Sequence, residues 1–256
     1  MNQSIGFFDS GIGGMSLLPA VEALLPLESI CYIADHAYSP YGEKSLDIVL
    51  NRARVITEKL LQLDCKLIVL ACNTATTQII DQLRAEFSVS FVGIEPAIKP
   101  AALVTKTRKI GVLATKGTLE SELFHQSVIE HGSGIEIVKQ IGKGLVACVE
   151  AGKSEDHATR TLLKSHLDPM IAEGIDTLVL GCTHYPFLIN TIKQIIPSRI
   201  KIIDNSQAIA NQIQRLLEKE NNLSGKDTKK KRQFYSTQKE NNLSLFTSAR
   251  VEYLPL

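Results

Sequence analysis

The chain has 256 residues, enough to bury one large hydrophobic core or two of ordinary size. Its formal charge is +1 with a pI near 7.6, which excludes a general electrostatic pull toward nucleic acid or a membrane surface and leaves recognition to local groups. Five cysteines, at 31, 65, 72, 148 and 182, make an odd set without a CxxC pair, so reduced thiols fit better than a disulfide framework or a zinc ribbon.

Met1-Asn-Gln-Ser-Ile carries neither a basic leader region nor a long apolar stretch. No apolar run approaches the roughly 20 residues needed to span a bilayer, so a cytoplasmic protein is expected. Ser4 to Phe8 reads as a buried strand, followed by the turn Asp9-Ser10-Gly11-Ile-Gly13-Gly14. Either its glycines let backbone approach an anion or amino acid at a helix start, with Ser10 as a donor, or the turn simply needs positive φ. Ser29 to Ala34 is a second strand, running into the loop Asp35-His36-Ala-Tyr38-Ser-Pro40-Tyr41-Gly42. Pro40-Tyr41-Gly42 is either a rigid segment laid beside a ligand or a plain turn with an exposed aromatic. Asp35 and His36 either exchange a proton or face solvent. From Glu43 to Leu63, apolar residues at 46, 49, 50, 53, 56, 60 and 61 mark the inner stripe of a helix.

The next stretch occurs twice. Leu67-Ile-Val-Leu-Ala-Cys72-Asn73-Thr74 and Thr177-Leu-Val-Leu-Gly-Cys182-Thr183-His184 are both short aliphatic strands that end on a cysteine followed by helix-capping residue types. A thiol at a strand-to-helix junction meets unpaired backbone N–H groups and the positive end of the helix dipole, which favour the thiolate. Ile5-Gly-Phe-Phe-Asp9-Ser10-Gly11 likewise resembles Ile110-Gly-Val-Leu-Ala-Thr115-Lys116, so two similar α/β halves are expected. If such halves face one another, their cysteines reach a shared cleft from opposite sides, which suits chemistry at both faces of one carbon.

After the first cysteine strand, Ala75 to Phe87 continues as a helix and Ser90 to Ile94 as a strand. Glu95-Pro96 opens the next helix, with Glu95 either touching a substrate ammonium or favouring the helix N-terminus. Lys109 to Ala114 begins the second half. Thr115 and Thr118 are candidates to bind a substrate carboxylate, Thr118 being equally a helix cap, with Ser121 as an alternative cap. Gly142-Lys-Gly144-Leu-Val-Ala147 matches a degenerate dinucleotide fingerprint, but no acidic residue follows at the right distance and the next helix is short. Glu150, in that helix, is either solvated or reaches the site. Glu155 to Glu173 is a helix that supports the strand bearing Cys182; a helix to Ile196, a strand from Ile200 and a helix from Ser206 to Glu218 follow. Asn221 to Arg232 lacks apolar character and reads as a solvated loop, its basic run 229–232 included. The remainder folds back onto the body.

Cys31, Cys65 and Cys148 fit the description of small buried hydrophobes. Two strand-end cysteines in matching places point instead to function, with His184 placed to exchange a proton with Cys182 and Asp9 in the corresponding role near Cys72. Asp9-Ser10-Gly11-Ile-Gly13-Gly14, Pro40-Tyr41-Gly42, Ala71-Cys72-Asn73-Thr74-Ala75 and Gly181-Cys182-Thr183-His184 together resemble the signatures of the glutamate racemases, within the aspartate/glutamate racemase superfamily.

That resemblance implies two pseudo-symmetric α/β domains, each a mainly parallel sheet flanked by helices: roughly residues 1–97 with 207–256, and 98–206. It implies interconversion of L- and D-glutamate without cofactor or metal, D-glutamate feeding peptidoglycan synthesis. Cys72 and Cys182 would be the two acid/base residues, assisted by Asp9, His184 and Glu150. Asp9, Ser10, Tyr41, Gly42, Asn73, Thr74, Thr115, Thr118, Thr183 and His184 would bind substrate. Histidine after Cys-Thr is the glutamate-like pattern, where aspartate racemases tend to carry glutamate. Glutamate is the implied partner, with no nucleic acid and no membrane, and a homodimer is the common state in the family. One departure is Ser236-Thr237-Gln238-Lys239, where relatives often have a glycine-aspartate pair.

Overall fold

A computed structural model describes residues 3–225 and 229–256. Within the expected solvated loop, residues 226–228 lie outside the described residues, as do residues 1 and 2 at the start of the chain. The chain divides into two compact units, Met1–Ile94 with Ser206–Leu256, and Glu95–Asn205.

The first unit begins β1 (Ser4–Asp9), α1 (Leu18–Leu24), β2 (Ser29–Ala34), α2 (Leu46–Gln62), β3 (Cys65–Leu70), α3 (Asn73–Glu86) and β4 (Ser90–Gly93). Every residue of β1 and β2 is buried, which is why both read as unbroken apolar runs rather than alternating ones: helices cover both faces of the sheet. On α2, Val49, Ala53, Ile56 and Leu60 face the core, whereas Leu46 and Leu61 at its ends are exposed.

The second unit runs α4 (Ile98–Val104), β5 (Lys109–Ala114), α5 (Lys116–Leu119), α6 (Glu122–His131), β6 (Glu136–Ile141), α7 (Leu145–Glu150), α8 (His157–Ala172), β7 (Thr177–Gly181), α9 (Ile189–Ile195) and β8 (Lys201–Ile203). Its core joins Ile110, Val112 and Val179 to Ile98, Ala101 and Phe124. Glu95 and Pro96 stand before α4 rather than inside it, Ala97 being the residue that precedes its first turn. Glu95 is exposed, and its carbonyl accepts from the Asn205 side chain.

The chain then returns to the first unit through α10 (Ser206–Lys219), β9 (Arg232–Ser236) and β10 (Val251–Tyr253). The two sheets share a plan. All their pairings are parallel, in the order β10-β9-β2-β1-β3-β4 and β6-β5-β7-β8. In each unit the first two strands are adjacent and the third lies on the other side of the first, so the strand before each paired cysteine stands beside its unit's opening strand. The repeat seen in the sequence is therefore a repeat of topology. Strand order reverses next to β1 and next to β5, and in open parallel sheets the rim at the carboxyl ends of such strands is where ligands bind.

Among the described residues, no helix is long and apolar enough to cross a membrane.

Candidate functional site

At the first unit's rim, Phe8 pairs with Leu70 and the Phe8 carbonyl accepts from Ala71 N at 2.8 Å, carrying the β1–β3 ladder up to Cys72. Cys72 keeps extended backbone (φ −141°, ψ 116°), and its carbonyl accepts the first bond of α3, from Thr76 N at 2.9 Å. The cysteine itself, not Asn73, thus occupies the residue before the helix. The Asn73 side chain turns aside to the Ile94 carbonyl at 3.2 Å, and the Thr76 hydroxyl links Leu70 O to Ile94 N. Cys72 and its neighbours Asn73 and Thr74 are all nearly buried, at 6%, 3% and 3% exposure.

Asp9 ends β1 fully buried and accepts a 3.2 Å bond from the Ser10 hydroxyl. The glycine turn after it is not built on positive φ: Gly11, Gly13 and Gly14 all lie outside that region. Its demand is space. A Cβ on Gly14 would stand 2.6 Å from Ala71 Cβ and 2.9 Å from the Tyr32 hydroxyl, which itself donates to Gly11 O at 2.8 Å. The turn is pinned flat against the residue before Cys72.

The loop after β2 departs from two expectations. Asp35 does not face solvent: it is wholly buried and accepts from the Tyr41 hydroxyl (2.6 Å), Arg52 Nε and Nη2 (both 2.9 Å) and the Thr237 hydroxyl (2.8 Å). Tyr41 is no exposed aromatic but is 1% accessible, opening a short 3-10 turn that ends at Glu43. Burial, then the charges on Asp35 and Cys72, push its phenol well above the ordinary tyrosine range. His36 turns from Asp35 to the Ser236 hydroxyl at 2.8 Å. The Ser236-Thr237 pair therefore serves the β2 loop. Arg52 and Thr237 were not singled out as site residues from sequence, yet a signal existed for the first: an arginine three residues from Val49 and four from Ile56 sits on the buried stripe of α2.

At the second unit's rim, β7 aligns Gly181 with Ala114, and Cys182 follows directly, 6% exposed. No α-helix starts there. A 3-10 turn, Tyr185–Leu188, intervenes before α9, so the two cysteine junctions differ. His184 Nδ1 lies 3.8 Å from Cys182 Sγ, and His184 Nε2 lies 2.5 Å from Glu150 Oε1. A carboxylate only accepts, so Nε2 carries the proton and the Nδ1 lone pair faces the thiol. The result is a thiol–imidazole–carboxylate chain, an arrangement chemically able to pass a proton between Cys182 and His184 beside a carboxylate.

The segment that resembled a dinucleotide fingerprint builds this arrangement. Gly144 precedes α7 with φ +84°, and α7 ends on Glu150. Gly142 has no room for a side chain because the Tyr185 hydroxyl lies where its Cβ would be, donating to Gly142 O at 3.2 Å. Tyr185 is fully buried; burial, and then the Cys182 charge, raise its phenol well above the ordinary range.

Thr115 caps α5 by accepting from Thr118 N at 3.3 Å, and the two hydroxyls lie 2.9 Å apart. Thr118 is therefore inside the helix rather than its cap, and Ser121 caps α6. Thr183, between Cys182 and His184, is 4% exposed.

With two strand-end thiols on matching topology, the family comparison is decisive. The profile of the Asp/Glu/Hydantoin racemase family matches residues 16–213. The chain belongs to this family. It is 47% identical over 221 residues to the glutamate racemase of Ectopseudomonas mendocina (strain ymp), covering 85% of this chain and 84% of that one. Among solved structures it resembles Escherichia coli glutamate racemase in complex with L-glutamate and the activator UDP-MurNAc-ala, with TM-score 0.88, 30% identity and 98% of both chains covered. It also resembles Francisella tularensis glutamate racemase in complex with D-glutamate, with TM-score 0.85, 27% identity and coverage of 99% and 97%.

Proposed function

We propose that this chain is an isomerase that racemises glutamate, using Cys72 and Cys182 as its two acid/base residues and needing neither cofactor nor metal. The observation that carries the reading is the hydrogen-bonded chain Cys182–His184–Glu150, which gives a nearly buried thiol a partner for its proton. Inversion takes the α-proton from one face and returns a proton to the other. One thiol serves each face: Cys72 takes the proton of D-glutamate, Cys182 that of L-glutamate, and each acts as acid in the reverse direction. The relatives solved with L-glutamate and with D-glutamate support the choice of substrate.

The two compact units are taken as the two domains, one carrying each cysteine. Asp9 assists Cys72 as His184 assists Cys182. Ser10, Asn73, Thr74, Thr183, Thr115 and Thr118 supply donors to the substrate. The Tyr41 hydroxyl is committed to Asp35, so Tyr41 and Gly42 act through their backbone N–H groups. Helix and turn N–H donors gathered at the substrate carboxylate would ease removal of a weakly acidic α-proton. The D-glutamate formed feeds peptidoglycan synthesis in the cytoplasm, and the working form is a homodimer.

Incubation with L-glutamate in D₂O tests the reading: D-glutamate carrying α-deuterium is expected. Turnover of aspartate but not glutamate would overturn it.

A further inference from the structure

We infer that Arg52 is a positioning residue for the racemisation proposed above, acting through Asp35 on the Tyr41 hydroxyl and so fixing where residues 40–42 stand beside Cys72. The inference rests on that functional reading.

Arg52 lies mid-way along α2 on its inward face and is 7% exposed. Its guanidinium engages the β2 loop at two points. Nε and Nη2 form a fork on both oxygens of Asp35 at 2.9 Å, and the guanidinium carbon stacks 4.2 Å from the Tyr38 ring centre. Asp35 passes the constraint on, since the same carboxylate accepts the Tyr41 hydroxyl at 2.6 Å. Tyr41 shares a buried cluster with Cys72 and Ala75, and the 3-10 turn that it opens packs against α3.

A requirement for stability alone does not explain this arrangement. Removing a guanidinium and a carboxylate from water is costly, and apolar replacements of buried ion pairs are often neutral or stabilising. What the pair supplies, and apolar side chains cannot, is an acceptor held at a fixed point for one phenol. Thr237 and the Asp35 backbone N–H, which donates to Asp9 O at 2.8 Å, fix that acceptor further. Lysine at 52 would bring charge without the two-pronged geometry.

A double-mutant cycle tests this, with Arg52→Lys and Arg52→Met each combined with Tyr41→Phe. Losing a charged hydrogen bond of this kind is expected to lower kcat/KM by about 10- to 100-fold for Arg52→Lys and for Tyr41→Phe alone. The double variant should be no worse than the weaker single one, because Tyr41→Phe has already released the segment. Losses that multiply, as two separate structural defects would, overturn the inference, as do Arg52→Lys kinetics within about twofold of the parent. Thermal melts monitor folding; if Arg52→Met leaves Asp35 unpaired and fails to fold, Arg52→Lys carries the cycle. As a readout without turnover, glutamate affinity measured calorimetrically in a Cys72→Ala background should weaken on adding Arg52→Lys; unchanged affinity and turnover overturn the proposal. A parent protein that racemises no glutamate refutes the functional reading and this inference with it, whereas an active parent with multiplying losses refutes the inference alone.

Discussion

Replacing Glu150 by glutamine removes the charge that faces His184 while leaving an oxygen that still accepts from Nε2. In the native chain the Nε2–Oε1 separation is 2.5 Å and the histidine is 2% exposed, so little water competes for the imidazolium. A charge-assisted hydrogen bond is roughly twice as strong as a neutral one, and the difference is about 1.5 kcal/mol. Because the imidazolium forms only as Cys182 gives up its proton, that loss falls on the transition state, and kcat/KM should drop about tenfold. L- and D-glutamate have equal free energies in water, so the equilibrium constant is one and kcat/KM must fall equally in both directions. The asymmetry appears in isotope effects. With Cys182 weakened, its proton transfer becomes more rate-limiting, so the α-deuterium effect on kcat/KM should rise for L-glutamate and fall for D-glutamate. Steady-state assays with both α-deuterated enantiomers measure this. A Glu150→Gln enzyme with parental kcat/KM would refute the relay, and isotope effects that move in the same direction for both enantiomers would refute the assignment of one thiol to each.

Cys72→Ala and Cys182→Ala should each abolish racemisation while leaving thermal stability near the parent value; near-normal turnover by either variant in a coupled assay would end the two-thiol scheme. Gly14→Ala places a Cβ 2.6 Å from Ala71, so overpacking should destabilise the fold by about 1–3 kcal/mol in urea melts, a change under 0.5 kcal/mol contradicting the packing argument. Asp176 accepts from Thr105, Lys106, Thr107 and Thr177. Burial pushes its carboxyl up, but these hydrogen bonds prevail and hold it at about 2, against 3.8 in an unfolded chain. A lowered folded pKa stabilises above the unfolded value and loses that contribution as pH falls. The stability difference between the parent and Asp176→Asn should therefore be level above about pH 5 and shrink as pH falls toward 2, by an amount that solvent screening keeps modest, and a pH-independent difference would sink the assignment.

The strands and both thiols were legible in the sequence because their signals are local. Apolar runs such as Ile30–Ala34 and Ile110–Ala114 leave a parallel, doubly covered strand as the natural reading, and polar residues directly after such a run mark its rim. The doubled motif announced two related halves before any strand order was known. His184 stands two residues from Cys182, so their contact also needed little tertiary information.

What the chain did not disclose spans long separations. Glu150 meets His184 across 34 residues in the second unit, and Thr237 reaches Asp35 across 202 in the first, contacts that only the packing of helices and strands within each unit can create. The same holds for two glycines: Gly14 and Gly142 are demanded by the side chains of Tyr32 and Tyr185, and not by their own backbone angles. Local hydrophobic pattern determined the elements and which cysteines end them. Tertiary structure decided which polar groups are buried together, because a buried charge such as Asp35 is tolerated only where distant donors converge on it.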